Sequence, residues 1–173
     1  MYEIVRKESL YPTVTLLEIK APDVARRALP GQFIILRISE EGERIPLTIA
    51  DSNKETGTVT IIFQHVGATT IRLGEKNVGD ALTDFVGPLG RASELDDLKK
   101  VAVIGGGLGT AIAYPQAKAL YEAGAHVDSI IGFRNKDMVI LDTLLGECST
   151  RLFVMTDDGS NGHKGFVTTA LQQ

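Results

Sequence analysis

The stretch VAVIGGGLGTAIAYPQAKAL, residues 101–120, runs from four apolar residues into three consecutive glycines, then a fourth glycine, then a helix-like segment. A continuous apolar run such as VAVIG (101–105) reads as a strand of a parallel sheet covered on both faces. A tight turn from that strand into a helix presents unpaired N–H groups and the positive end of the helix dipole, which attract an anion, usually a phosphate. Glycines there clear side chains from the path of a pyrophosphate and permit φ > 0. The plainer alternative is a sharp strand–helix turn, but three consecutive glycines cost more entropy than a turn requires. No Lys-Ser/Thr follows, which excludes a Walker P-loop. The Rossmann fingerprint is met at Gly105-x-Gly107 and missed at Thr110, where its third Gly or Ala belongs. Asp128 falls at about the separation of a ribose-binding acid, but within the next strand, which ends Gly132-Phe133-Arg134. The motif therefore reads as a nucleotide on a helix N-terminus, without a particular dehydrogenase class.

Downstream, HVDSIIGF (126–133) and RLFVMT (151–156) read as strands. GTAIAYPQAKALYEAGA (109–125) and KDMVILDTLLGE (136–147) read as helices, and a third helix begins in KGFVTTALQQ (164–173). Pro115 argues for a helix start just before it, or for a kink. Alternating strand and helix imply βαβ units and a parallel sheet. Upstream the grammar is β. TVTLLEIKAP (13–22) alternates and turns at Ala21-Pro22-Asp23; GQFIILRI (31–38) follows Pro-Gly; GTVTIIFQHVG (57–67) starts at a Gly; VGDALTDFVGPLG (78–90) is broken by Gly and Pro. Short strands between turn signals suggest a barrel or a sandwich. The charged stretch Glu94–Lys99 divides domains of 1–97 and 98–173.

The chain has 173 residues, 43% hydrophobic and 23% charged, with a net charge of −4. That balance lacks the basic footprint of a nucleic-acid or anionic-membrane binder. The N-terminal MYEIVRKESL is charged and alternating, unlike a signal peptide, and the longest apolar run is too short to span a bilayer. A single cysteine, Cys148, builds no disulfide framework, CxxC pair or iron–sulfur cluster, which suits a reducing cytoplasm. His65, His126 and His163 lie far apart, without metal-ligand spacing.

A β-domain followed by a parallel α/β domain with a glycine-rich first turn resembles the ferredoxin–NADP⁺ reductase superfamily. ERIPLTIAD (43–51), IIFQHVGATTIRL (61–73), VGPLG (86–90), GFRNKDM (132–138) and TDDGSNGHKGFVT (156–168) continue the likeness in order along the chain. They resemble the small FAD-carrying electron-transfer subunits of dihydroorotate dehydrogenase, ferredoxin:NADP⁺ oxidoreductase and sulfide dehydrogenase. The resemblance implies an antiparallel Greek-key β-barrel that binds FAD, then a parallel βαβ domain that binds NAD(H) or NADP(H). It implies that Pro46, Leu47 and Thr48 face the flavin, with the Thr48 hydroxyl near the hydride-accepting nitrogen as the catalytic contact. Ile62, Phe63 and Gln64 would line the flavin or adenosine, and the helix opened by Gly67, Thr69 and Thr70 would hold the FAD pyrophosphate. Gly105, Gly106, Gly107, Leu108 and Gly109 would cradle the second dinucleotide. Arg134 would read its adenosine ribose or 2′-phosphate, helped by Lys136, and Asp157, Asp158 and Gly159 would complete that site.

Superfamily members place an arginine three residues before the Ser/Thr of the flavin strand. Here that position is Ile45, and Arg44 is one earlier, so strand alternation should flip it; Arg44 is then either a flavin-phosphate ligand reached through a twist or bulge or a solvated surface arginine. The resembled subunits also continue into further sheet strands and a [2Fe–2S] segment, whose cysteines are absent here. The expectation is a truncated form with VAVIG left as an exposed edge, compensated by a homodimer or by docking a larger iron–sulfur or flavin partner. The implied function is hydride transfer from NAD(P)H to FAD and electron transfer onward. The rival is a non-enzymatic flavin-binding or interaction module of a larger redox complex.

Overall fold

The computed structural model describes residues 1–172. Gln173, the last residue of the expected third helix, lies outside the described residues. Contacts divide the chain into two compact units, Met1–Ser93 and a second from Glu94 onward.

The first unit carries β1 (Tyr2–Tyr11), β2 (Val14–Lys20), α1 (Pro22–Ala25), β3 (Phe33–Arg37), β4 (Arg44–Asn53), β5 (Thr58–Gln64), α2 (Ala68–Glu75), β6 (Ala81–Leu82) and β7 (Asp84–Leu89). The strands form one antiparallel sheet in the order β6-β1-β2-β5-β4-β3-β7. The outer strands of that order, β6 and β7, are joined through Thr83 alone, so the sheet curls until its ends meet and forms a nearly closed barrel. Hairpin-linked β3, β4 and β5 with β2 returning beside β5 make the Greek key. Alternation fills the interior: Ile34 and Leu36 from β3, and Val59, Ile61 and Phe63 from β5, are buried with Ile4, Leu17, Ile19 and Phe85. The turn expected at Ala21-Pro22-Asp23 is instead the opening of α1. Pro22 stands at its first position, where the missing N–H costs nothing.

The second unit carries β8 (Lys100–Gly106), a 3-10 turn (Gly107–Gly109), α3 (Thr110–Glu122), β9 (His126–Phe133), a 3-10 turn (Lys136–Met138), α4 (Asp142–Glu147), β10 (Arg151–Thr156) and α5 (Val167–Leu171). The sheet is parallel, in the order β10-β9-β8. Helix α3 packs on β8 and β9, and α4 packs on β10 and on α3. Helix α5 meets the sheet at Gly132, where an added Cβ would lie 2.7 Å from Val167 Cγ1. Ile130, Met155 and Ala170 make the core beneath it.

Three expectations are corrected. Strand β8 is not covered on both faces: it is the exposed edge also expected for VAVIG, an outer strand among those described, with Ala102 exposed and Ile104 44% exposed. Helix α3, read over 109–125, spans Thr110–Glu122; it does not start just before Pro115 but runs through it. Burying Ala111, Ala113, Tyr114, Pro115, Ala117 and Leu120 outweighs the one hydrogen bond that proline removes. The segment 136–147 is not one helix. Asn135 caps a 3-10 turn by accepting from the Asp137 N–H at 3.1 Å, and Leu141 then takes φ +61°, which restarts the chain into the short α4. No helix among the described residues is long and apolar enough to cross a membrane.

Candidate functional site

The first unit gathers its candidate residues along β4, β5 and the N-terminus of α2. In β4, Ile45, Leu47 and Ile49 pack against the barrel core, which turns Arg44, Pro46 and Thr48 to the outer face. Leu47 can therefore offer a ligand on that face only its backbone. Pairing with β3 is unbroken from Arg44 opposite Arg37 to Thr48 opposite Phe33; the irregularity comes later, between Ile49 and Asp51. Arg44 thus shares the Thr48 face without a bulge, because the two are four residues apart. Its guanidinium is committed to Asp84 at 3.0 Å, and Asp84 also takes Arg37 at 2.7 Å.

In β5, Ile62 and Gln64 alternate onto the outer face, where Ile62 is nonetheless buried and Gln64 half-buried, while Phe63 is 2% exposed inside the barrel core. The Phe63 ring is therefore withdrawn from the expected flavin lining: strand alternation sends it inward. His65 is structural. Its Nε2 lies 2.9 Å from the Thr15 hydroxyl, and its ring fills the space beside Gly74, where a Cβ would come within 2.4 Å.

Helix α2 opens at Gly67, where an added Cβ would meet open space. The Thr70 hydroxyl accepts from the N–H groups of Val66 and Gly67, both at 3.0 Å, so its role is to cap the turn. Thr69 donates its hydroxyl to Glu43 at 3.0 Å. A cavity of about 270 Å³ lies alongside, lined by Ser39, Glu41, Glu43, Thr69 and Arg72 among others. Sequence reasoning missed Glu43 and Asp84, the two carboxylates that engage candidate phosphate ligands. Glu43 had a signal, its place directly before Arg44; Asp84 had none.

The second unit gathers its candidates at the carboxyl ends of the parallel strands. Gly105 is buried, and a Cβ there would lie 2.9 Å from Thr110 Cα and 3.1 Å from Ala113 Cβ. Gly105 thus supplies the close strand–helix approach that the fingerprint's third small residue supplies elsewhere, which explains why Thr110 is tolerated. Gly106, Gly107 and Gly109 meet nothing within 4 Å, and Gly107 takes φ +52°. Together with half-buried Leu108 in the 3-10 turn, they leave a backbone bare of side chains at the start of a 13-residue helix. Thr110 is buried, and its hydroxyl has no partner among the described residues.

Asp128 is excluded as a ribose reader. It lies in the first half of β9, opposite Ala102 and Arg151, away from the carboxyl end at Phe133. It accepts from Arg151 at 2.8 and 2.5 Å and pairs with His126 at 3.1 Å. The Arg151 guanidinium, chiefly by hydrogen bonding, pulls its carboxyl down to about 2.

The loops after β9 and β10 are stitched together. Asp157 N–H donates to Phe133 O at 3.0 Å, and Asp158 N–H to Arg134 O at 3.3 Å. Lys136 N–H donates to the Ser160 hydroxyl at 2.8 Å, and that hydroxyl donates to Asp158 at 2.6 Å. Hydrogen bonds from Ser160 hold the Asp158 carboxyl below its usual range. Gly159 takes φ +76° between them. This brings Arg134, Lys136, Asp157, Asp158 and Gly159 to one loop cluster, with both cations exposed.

No protein-family model matches the chain. The chain is 45% identical over 171 residues to the dihydroorotate dehydrogenase B (NAD⁺) electron transfer subunit homolog of Thermotoga maritima, covering 99% of this chain and 60% of that one. It is 36% identical over 175 residues to the dihydroorotate dehydrogenase B (NAD⁺) electron transfer subunit of Streptococcus pneumoniae strain R6, covering 98% of this chain and 67% of that one. A solved structure of an NADH-dependent reduced ferredoxin–NADP oxidoreductase superposes with a TM-score of 0.92 at 44% identity, over 99% of this chain and 62% of that chain. The chain thus spans about 60% of the length of its first curated relatives. On this likeness and on its barrel and parallel-sheet units, the chain belongs to the dihydroorotate dehydrogenase B electron-transfer-subunit family of the ferredoxin–NADP⁺ reductase superfamily.

Proposed function

We propose that the chain binds FAD on the outer face of its barrel and a nicotinamide dinucleotide at the carboxyl ends of its parallel strands, as the electron-input subunit of a larger redox enzyme. The observation that carries the reading is the glycine turn after β8. Gly105 is packed tight, while Gly106, Gly107 and Gly109 leave the room a pyrophosphate needs over a helix N-terminus. When bound, the two cofactors supply hydride transfer from NAD(P)H to flavin and single-electron release to an iron–sulfur partner. The partner reading draws on the relatives' description as electron transfer subunits. One cysteine forms no intrachain disulfide, in keeping with the cytoplasm.

The chain's own groups bind and orient. Thr48 and Pro46 present a polar group and a flat apolar surface on the outer face of β4, with Ile62 and Gln64 beside them on β5. Thr48 is the hydroxyl assigned to the flavin. Gly67 leaves the first turn of α2 open to the flavin pyrophosphate, Thr69 reaches it only by releasing Glu43, and Thr70 shapes that turn. Arg44 reaches a flavin phosphate only by leaving Asp84. In the second unit, the Gly105–Gly109 turn with Leu108 holds the dinucleotide pyrophosphate. Arg134 and Lys136 meet its adenosine end, and Asp157, Asp158 and Gly159 close the loop beside it.

The test is the visible spectrum of the purified chain under anaerobic conditions, with FAD supplied, before and after NADH and then NADPH. A flavin band that bleaches supports both sites, and the faster donor sets the preference. A chain that takes up no flavin overturns the barrel assignment; a bound flavin that neither donor bleaches overturns the dinucleotide assignment.

A further inference from the structure

Arg134 and Lys136 are exposed, and neither side chain has a partner among the described residues. Two freely rotating cations on a loose loop make a weak reader, because every ligand contact must first order the loop. This loop is already ordered, and from outside. The Arg134 carbonyl accepts from Asp158 N–H at 3.3 Å, and Lys136 N–H donates to the Ser160 hydroxyl at 2.8 Å. The circuit closes on the far side, where Asp158 Oδ1 accepts from both the Ser160 hydroxyl at 2.6 Å and the Ser160 N–H at 2.9 Å. Ser160 supplies the one side-chain hydroxyl in this ring, and that hydroxyl both accepts and donates. Removing it leaves Lys136 N–H without its acceptor and cuts Asp158 to a single bond from Ser160.

We infer that Ser160 is a positioning residue for dinucleotide binding, holding the 134–136 backbone so that Arg134 and Lys136 meet the adenosine-ribose end of the ligand. This rests on the dinucleotide reading above. Ser160 acts through the loop and does not itself touch the ligand. Its loss should therefore weaken binding without altering the redox step.

The experiment measures dissociation constants of the full chain for NADH and NADPH, for the wild type, Ser160→Ala, Ser160→Thr, Arg134→Ala/Lys136→Ala and the triple variant. Losing the hydroxyl should weaken binding about tenfold, with Ser160→Thr restoring most of it. In the Arg134→Ala/Lys136→Ala background, Ser160→Ala should cost less than about twofold, because the groups it positions are gone. FAD affinity, a property of the other unit, should be the same throughout. A Ser160→Ala variant that binds like the wild type, or a tenfold loss that persists without Arg134 and Lys136, overturns the positioning role and leaves the dinucleotide reading standing. A wild type that binds neither nucleotide overturns the dinucleotide reading, and the inference with it.

Discussion

A Cβ on Gly105 would sit 2.9 Å from Thr110 Cα, a backbone atom that cannot swing aside. Gly105→Ala should therefore destabilise the fold by about 1–3 kcal/mol, read as a fall in the urea midpoint. Gly106 has φ −119° and open space around its Cβ position. Gly106→Ala should leave stability within about 0.5 kcal/mol yet weaken dinucleotide binding, because the new methyl fills the cradle. Equal effects of the two substitutions on stability and binding would contradict the separation of packing glycine from ligand glycine. Asp128 makes a pH prediction. Its carboxyl is lowered to about 2 when folded, so its contribution to stability is complete above about pH 4 and is lost as pH falls toward about 2. Asp128→Asn should therefore be less stable than the wild type at neutral pH, and the two urea midpoints should converge toward pH 2. Glu43, accepting from Thr69 at 3.0 Å, places a negative charge where the flavin pyrophosphate is assigned. Glu43→Gln should tighten FAD binding several-fold by removing like-charge repulsion, measured by quenching of flavin fluorescence.

Helix α2 is eight residues long, too short to stand on propensity, and its two ends explain how it persists. Thr70 caps the N-terminal turn, and Lys7 Nζ from β1 donates to the Gly74 and Lys76 carbonyls at 2.6 and 2.8 Å. A lysine at a helix C-terminus also opposes the negative end of the dipole. Lys7→Met should cost about 1–2 kcal/mol and speed amide exchange in α2 before the rest of the barrel; uniform exchange would contradict the clamp. The contrast with the other helices shows what was legible. Strands β9 and β10 fall on the segments read as strands, His126–Phe133 and Arg151–Thr156, because short runs rich in Val, Ile, Leu and Phe between turns favour extended chain even where Asp128 and Ser129 interrupt them. Helix α3 falls close to the 109–125 read for it and runs through Pro115 instead of starting beside it, and the expected helix over 136–147 shrank to α4. Burial of one face decided the first; Asn135 capping and the turn at Leu141 decided the second.

At the scale of the whole molecule, the barrel and the parallel sheet are separate compact units, and the two cofactors are assigned to different ones. A ligand stabilises only what it binds. FAD at about 100 times its dissociation constant should add about 2.7 kcal/mol to the first unit, and NADH should act on the second. Hydrogen exchange with each cofactor in turn should show protection confined to its own unit; protection of the wrong unit by either would reverse the assignment. The sequence by itself determined the β-then-α/β order, the strand alternation and the glycine turn, because these depend on local period and on backbone freedom. Only the tertiary structure decided which face each residue takes and what it meets there. It buried Phe63, gave Arg44 to Asp84, locked Asp128 to Arg151, and joined Ser160 to Lys136. Those outcomes depend on pairing register and on charges distant in the chain, and no local pattern encodes either.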